Sequence, residues 1–312
     1  MVDVNLFKHL LEAIDFNKTK LLLIGDNAQI PSVACGNVFH DLLNSQEVPT
    51  VYLTKVFRYG IGGLSTVATD IRTKIETFDE KNKSIQAIGE DKGMIFIPLV
   101  QEKAIDYIVK MYRKLINNGI SMEDILILTS QNVGNYGTQI LNQEIQKAIN
   151  PQTEKYLKFG DTEYRLNDPI IQCANDYKAI IYDNGNYNEE NKTFISNGEI
   201  GKIIDVLYNG IVVDFSNTII FIPKEKMNAI KLAYSISIHK SQGGQAKTII
   251  VFAPKAHTFM LNSNLLYVGV TRAKEKCYLI GDFNTYDKAI KKQENFRRKT
   301  WLIDLLKKIN KN

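Results

Sequence analysis

The sequence is poor in the features that staple, anchor or export a chain. Cysteine occurs three times, as Cys35, Cys173 and Cys277. These are far apart and odd in number, so neither a disulfide framework nor a zinc knuckle is indicated, no metal site is expected, and the thiols read as reduced. No apolar run approaches the roughly 20 residues of a membrane span. The opening "MVDVNLFKHLLEAI" lacks the basic start and unbroken apolar stretch of a signal peptide, so a cytoplasmic location is the default expectation. No internal repeat or low-complexity segment stands out. What remains is a chain of 312 residues, 44% hydrophobic and 23% charged, with room for two or three domains at roughly 100–150 residues each. The net charge of +5 is compatible with nucleic acid, and a Lys-rich surface explains it equally well.

Apolar periodicity divides the chain. Phe7, Leu10, Leu11 and Ile14 recur at helical spacing, and "KLLLIGD" then reads as a buried strand ending in a loop. A helix near 63–76, a strand at "MIFIPLV", a helix near 102–117, a strand at "DILILTS" and a helix near 137–149 follow. Alternation with continuous apolar strands predicts an α/β fold around a parallel sheet. From Pro151 to about Ile230 the helical spacing vanishes and short strands dominate. In "KIIDVLYNGIVVDF", Asn209 and Gly210 predict a hairpin with a type I′ turn. A small all-β insertion is expected over 151–230, after which "AYSISIHKSQGGQAKTIIVFAP", a helix near 263–275 and the strand "KCYLIGD" resume the α/β pattern. Residues 291–312 carry eight Lys or Arg against Glu294 and Asp304, with Trp301, Leu302, Leu305, Leu306 and Ile309 at helical spacing. They read as a basic amphipathic helix that docks on the protein.

Two stretches carry candidate chemistry. Gly25, Asp26 and Gln29 lie in a loop after an apolar run. In an open α/β sheet such a loop faces ligands, and an ordinary Asp-Asn turn accounts for it equally well. The polar knot Ser237, His239, Lys240, Gly243 and Gln245 fits a phosphate contact, a catalytic histidine or a plain turn.

Together these stretches carry a resemblance. "IGDNAQIPSVACGNVFHDLL" with "LTKVFR" resembles motifs III and IV of superfamily 1 helicases, and "AYSISIHKSQGGQ" with "LLYVGVTRAK" resembles motifs V and VI. "GTQILNQEIQKAINP" and "FISNGEIGKI" are similar to segments of the RecD-like branch, whose members move 5′ to 3′ along single-stranded DNA using ATP. The resemblance implies a RecA-like motor domain with an inserted SH3-like barrel: 1–44 as the end of a first RecA-like domain, 45–150 and 231–290 as the second, 151–230 as the barrel and 291–312 as the terminal helix. It implies catalytic roles for Gln29, Arg58 and Arg272, which would address the γ-phosphate and its attacking water. It implies nucleotide contacts by Gly25, Asp26, Gly243 and Gln245, and DNA contacts by Gly137, Asn142, Ser237, His239 and Lys240. The family usually has an acidic residue at the position of Gln245, which puts that ribose contact in doubt. Tyr177, Tyr182 and Tyr187 are open between base stacking and barrel packing.

The sequence lacks the loop G-x-x-x-x-G-K-[ST] and the acidic pair that hold a triphosphate and magnesium in such motors. "NGEIGK" is too short and lies within the β insertion. In the family pattern that pair lies just upstream of a segment resembling "MVDVNLFKHLLEAI". ATP and Mg2+ are therefore expected as ligands of a complete protein, with none bound tightly by these residues alone. Expected partners are single-stranded DNA, an N-terminal motor domain, and other repair or recombination proteins. The alternative is a non-catalytic module that binds nucleic acid or a partner. A hydrolase built on His239 has no acid or nucleophile spaced to serve it.

Overall fold

The computed structural model describes residues 2–53, 62–151, 155–183, 185–216, 218–293 and 298–309. The chain opens with α1 (Val4–Ala13) and α2 (Val38–Ser45), then α3 (Gly63–Thr73), β1 (Gln86–Ile88), β2 (Met94–Pro98), α4 (Gln101–Asn117), β3 (Ile125–Thr129) and α5 (Thr138–Ile149). An all-β stretch follows: β4 (Tyr156–Phe159), β5 (Thr162–Arg165), β6 (Pro169–Gln172), β7 (Asp176–Asp183), β8 (Asn186–Ile195), β9 (Ile200–Leu207), β10 (Gly210–Asp214), β11 (Ile219–Pro223) and β12 (Ile230–Leu232). The chain returns through β13 (Ser235–Ser237), β14 (Ala246–Ala253), α6 (Ser263–Val270), β15 (Ala273–Gly281) and α7 (Phe283–Lys291), and α8 (Leu302–Ile309) follows.

The main sheet has six strands in the order β1-β2-β15-β14-β3-β13. Only the edge pair β1–β2 is antiparallel; the other four pairings are parallel. Such a sheet is covered on both faces, so its strands read as unbroken apolar runs, and every residue of β3 is buried. Alternation then divides each strand between two cores. Leu126 and Leu128 pack with Leu64, Val67 and Ile71 of α3 and Leu265 and Leu266 of α6, whereas Ile125 and Ile127 pack with Ile108 and Tyr112 of α4 and Leu141 and Ile145 of α5. The result is the α/β layering around a parallel sheet that the alternating pattern predicts. The predicted helix near 263–275 stops at Val270, because β15 already begins at Ala273.

The β region forms a seven-stranded antiparallel sheet, β12-β6-β9-β10-β11-β7-β8, beside the small β4–β5 hairpin. Its core is Ile170, Ala179, Ile195, Ile203, Ile211, Val213, Ile220, Ile222 and their neighbours. The predicted hairpin is present as β9–β10, with a different turn. Leu207 pairs with Gly210, so Tyr208 and Asn209 occupy the loop, and neither Asn209 nor Gly210 has a positive φ. The glycine answers a packing need instead. A Cβ on Gly210 would lie 2.3 Å from the carbonyl oxygen of Ile222, so any side chain would push β11 away.

A polar node roots this β region on the main sheet. Asp168 is fully buried and accepts hydrogen bonds from Tyr234 Oη (2.7 Å), Asn150 Nδ2 (2.7 Å), Gln146 Nε2 (2.5 Å) and the Arg165 amide (2.7 Å). Burial pushes its carboxyl above the usual carboxylate range, and these four donors oppose that.

The first 53 residues differ from the predicted pattern. Lys20–Asp26 is not a strand, and Leu22 and Ile24 are 79% and 85% exposed. An extended segment becomes a strand only by pairing, and no described strand lies beside it. The terminal helix α8 docks on α2, helped by Thr300 Oγ1 donating to Asp41 Oδ2 (2.6 Å) and Arg298 Nη1 donating to the carbonyls of Ala34 (2.9 Å) and Gly36 (2.8 Å). No helix among the described residues is long and apolar enough to cross a membrane.

Candidate nucleotide and nucleic-acid site

The loop containing Gly25, Asp26 and Gln29 folds as a tight turn, with Ala28 N donating to Asp26 Oδ1 (3.0 Å) and Gln29 N to the Asp26 carbonyl (3.1 Å). It is fastened to α6. Asn264, buried in the first turn of that helix, donates through Nδ2 to the carbonyls of Ala28 and Gln29, both at 3.0 Å. Tyr267 Oη, one turn on, donates to Asp26 Oδ2 at 2.9 Å, and Arg72 of α3 lies 3.5 Å from Asp26 Oδ1. Burial, with the Asp26 carboxylate second, pushes the Tyr267 phenol up to about 12. Both oxygens of Asp26 are thus engaged within the fold, while the side chain of Gln29 takes no part in this network. Gly25 lies against the ring of Phe39.

The helix that holds this loop leads to Arg272, which is buried. Its Nε donates to the Val268 carbonyl (3.2 Å) and its Nη1 to the Gly244 carbonyl (3.2 Å). Residues 26–29, 244 and 264–272 therefore form one hydrogen-bonded unit. From Asn264 to Val270, where the helix ends, is about 9 Å at the helical rise. In the turn itself Gly243 has φ +89°, with open space where a Cβ would stand, so glycine answers the backbone conformation there. Gly244 and Gln245 are exposed. The Gln242 Oε1 is buried with no hydrogen-bond partner among the described residues, an acceptor left open for a donor.

On the other side of the turn, Ser237 ends β13 and is buried, its carbonyl accepting from the Lys240 and Ser241 amides (2.9 and 3.2 Å). His239 is half-buried, and burial lowers its pKa, so at neutral pH it presents a neutral imidazole rather than a charge. Lys240 Nζ reaches Cys173 Sγ at 2.9 Å, joining the turn to the end of β6.

The two residues assigned to DNA at α5 are occupied inside the fold. Asn142 donates through Nδ2 to the carbonyls of Leu232 (3.0 Å) and Ser235 (2.9 Å), and its Oδ1 accepts from the Ser235 amide (2.7 Å). Both amide hydrogens are used, so the residue clamps the chain between β12 and β13. Gly137 caps α5, but the Gly137, Thr138 and Gln139 amides already donate to the carbonyls of Gly134, Gln131 and Asn132. That helix end offers these amides to its own loop and not to a phosphate. Arg58 lies outside the described residues.

Sequence reasoning missed Asn264, Tyr267, Arg72, Gln242 and Cys173. Asn264 and Tyr267 fall within or beside "LLYVGVTRAK", where the signal was present but was spent on Arg272. Cys173 and Arg72 carry no motif, and only the fold brings them to the site.

Comparison with known proteins finds helicase relatives along most of the chain. A UvrD-like helicase C-terminal domain profile matches residues 232–280, an ATP-dependent RecD-like DNA helicase SH3 domain profile matches residues 141–215, and an AAA domain profile matches residues 1–90. The ATP-dependent RecD2 DNA helicase of Deinococcus radiodurans is 25% identical over 280 residues, covering 89% of this chain and 35% of its own. The RecBCD enzyme subunit RecD of Buchnera aphidicola subsp. Acyrthosiphon pisum is 25% identical over 343 residues, covering 95% of this chain and 54% of its own. Among solved structures, a Pif1 helicase from Bacteroides in complex with ADP-AlF3 and ssDNA aligns with a TM-score of 0.44 at 18% identity, over 84% of this chain and 56% of that one. The chain thus spans between a third and just over half of the two curated relatives. An AAA profile and two helicase profiles thus lie in order along the chain, which is similar to the C-terminal portion of RecD-like superfamily 1 helicases.

Proposed function

We propose that this chain is the C-terminal motor half of an ATP-dependent DNA helicase, gripping single-stranded DNA and supplying arginine to phosphoryl transfer. The observation that carries the reading is the hydrogen-bonded unit of the 26–29 loop, the Gly244 turn and the α6–Arg272 segment. Three stretches distant in sequence are coupled there, so a nucleotide at the Gly243–Gln245 turn would be felt at Arg272 and at Gln29. Ser237, His239 and Lys240 contact the strand on the opposite side of the same turn, and movement runs 5′ to 3′ as in the family. Arg58 is the second arginine of this reading.

No group of three or more His, Cys, Asp or Glu side chains among the described residues is placed to hold a metal ion, and the sequence has no phosphate-binding loop. The chemistry of these residues does not fit a magnesium site. The triphosphate cradle belongs, on this reading, to another motor domain that closes against this one. Residues 1–312 alone are then expected to bind a single-stranded oligonucleotide with strong salt dependence, and to hydrolyse ATP far below the roughly 1 s⁻¹ at the low end of ordinary enzymes. DNA-stimulated hydrolysis at or above that rate overturns the division of labour. Affinity unchanged between 50 and 200 mM salt overturns the DNA contacts. The missing phosphate loop also favours a second reading, a nucleic-acid-binding module without hydrolysis. Failure of a separately produced P-loop domain to restore ATPase on mixing would select it.

A further inference from the structure

The three tyrosines of the β region are not equivalent. Tyr187 stacks on Phe221 at 4.0 Å between centroids and its hydroxyl accepts from Asn209 Nδ2 (2.9 Å), while Tyr182 packs beside Ile180 and Phe221. Tyr177 is 71% exposed, and among the described residues one ring, that of Phe194, stacks on it at 4.9 Å and 28°. Asn175 Nδ2 reaches its hydroxyl at 3.4 Å. A ring backed by a second ring and tethered at its edge has already lost much of its rotamer freedom, which lowers the ordering cost of placing a third flat group on the open face.

The position of this pair is also informative. Tyr177 is four residues beyond Cys173, the residue that Lys240 touches. Four residues span at most about 14 Å, or roughly four stacked bases at 3.4 Å each. Lys178 and Lys192 are exposed on the same two strands, and Lys192, two residues before Phe194, shares its face. Asp176, next to Tyr177, is neutralised by Lys226 at 2.8 Å, and the acidic Glu189 and Glu190 lie farther along β8 toward the hairpin tip, so Lys178 and Lys192 are the uncompensated charges nearest the pair among the described residues of these two strands.

We propose that Tyr177, backed by Phe194, is a stacking platform for an unpaired base, extending the single-stranded path from Lys240 onto the β7–β8 hairpin. The inference rests on the single-strand reading above, and the two separate cleanly in one experiment. A fluorescent oligothymidylate of twelve nucleotides is titrated with the 312-residue chain at several salt concentrations, for wild type, Tyr177→Ala, Tyr177→Trp, Phe194→Ala and Lys240→Ala. Tyr177→Ala is expected to weaken binding about 5- to 150-fold, the range for one stacked base, without changing the slope of log affinity against log salt. Phe194→Ala weakens it less and Tyr177→Trp preserves it. Lys240→Ala reduces the slope by about one. Both rings are exposed, so unchanged thermal midpoints are expected and are measured alongside. Loss with Lys240→Ala but none with Tyr177→Ala overturns the platform and leaves the DNA reading standing. A Tyr177→Ala defect that changes the salt slope, or that Trp fails to restore, also overturns the platform. No binding by wild type, or no effect of any variant, overturns both.

Discussion

"KLLLIGD" at 20–26 and "DILILTS" at 124–130 are nearly the same sentence in two parts of the chain. The second becomes β3, buried along its whole length between β13 and β14. The first takes no regular secondary structure and exposes Leu22, Leu23 and Ile24. The difference lies in company. A continuous apolar run states that a segment can be buried on two faces, but the neighbours that bury it come from elsewhere in the chain.

The comparison can be tested, beginning where the effect is largest. Ile127→Ala in β3 should cost about 2–5 kcal/mol, and Ile24→Ala less than about 0.5 kcal/mol, read from urea midpoints. Equal costs would mean that the first segment is paired in solution. Next, Asn142→Ala should cost about 2–4 kcal/mol, because it strands the Ser235 amide and two carbonyls in the interior of the sheet region. A cost below about 1 kcal/mol would mean that water replaces the clamp.

The third test is of pH. His257 is buried at the carboxyl ends of the main strands, with Nδ1 3.2 Å from Thr129 Oγ1, and burial lowers its pKa from 6.5 to about 4. Between those values the unfolded chain holds the extra proton. Stability is therefore full above pH 6.5 and falls as the pH drops toward 4, by up to about 1.4 kcal/mol per pH unit. Burial lowers His40 and His239 in the same direction. His257→Gln should flatten the profile, and an unaltered slope would remove His257 as its source. The smallest effect is expected where the two regions meet. Asn264→Ala should weaken the hold on the 26–29 loop by about 1 kcal/mol, seen as faster amide exchange at Ala28 and Gln29 with little change in global stability. Unchanged exchange would mean that Asp26, Tyr267 and Arg72 suffice.

Most of the α/β layering was legible because it rests on local periodicity: α4, α5 and β3 each bury the face their spacing specifies. The β9–β10 hairpin was legible and its turn was not, since Gly210 serves the approach of β11, a contact made across strands. The stretches marked by motif come together in the fold at 26–29, 244 and 264–272, while the partners of single residues were not legible. Asn142 and Asp26 are polar residues in stretches that the resemblance assigns to ligands, yet their hydrogen-bonding capacity goes to backbone and to Tyr267. The Lys240–Cys173 contact joins residues 67 positions apart, each just beyond a strand of a different sheet, and nothing in either local sequence announces it.

The passage from β12 to β13 has a mechanical consequence. Only Ala233 and Tyr234 separate the last strand of one sheet from the edge strand of the other, and Tyr234 is bolted to Asp168 at the foot of the β region. A link so short has no slack. The foot of the β region and the start of the turn after Ser237 are therefore held to one another through Tyr234 and Asp168, and a substitution that loosens either end is expected to be felt at the other.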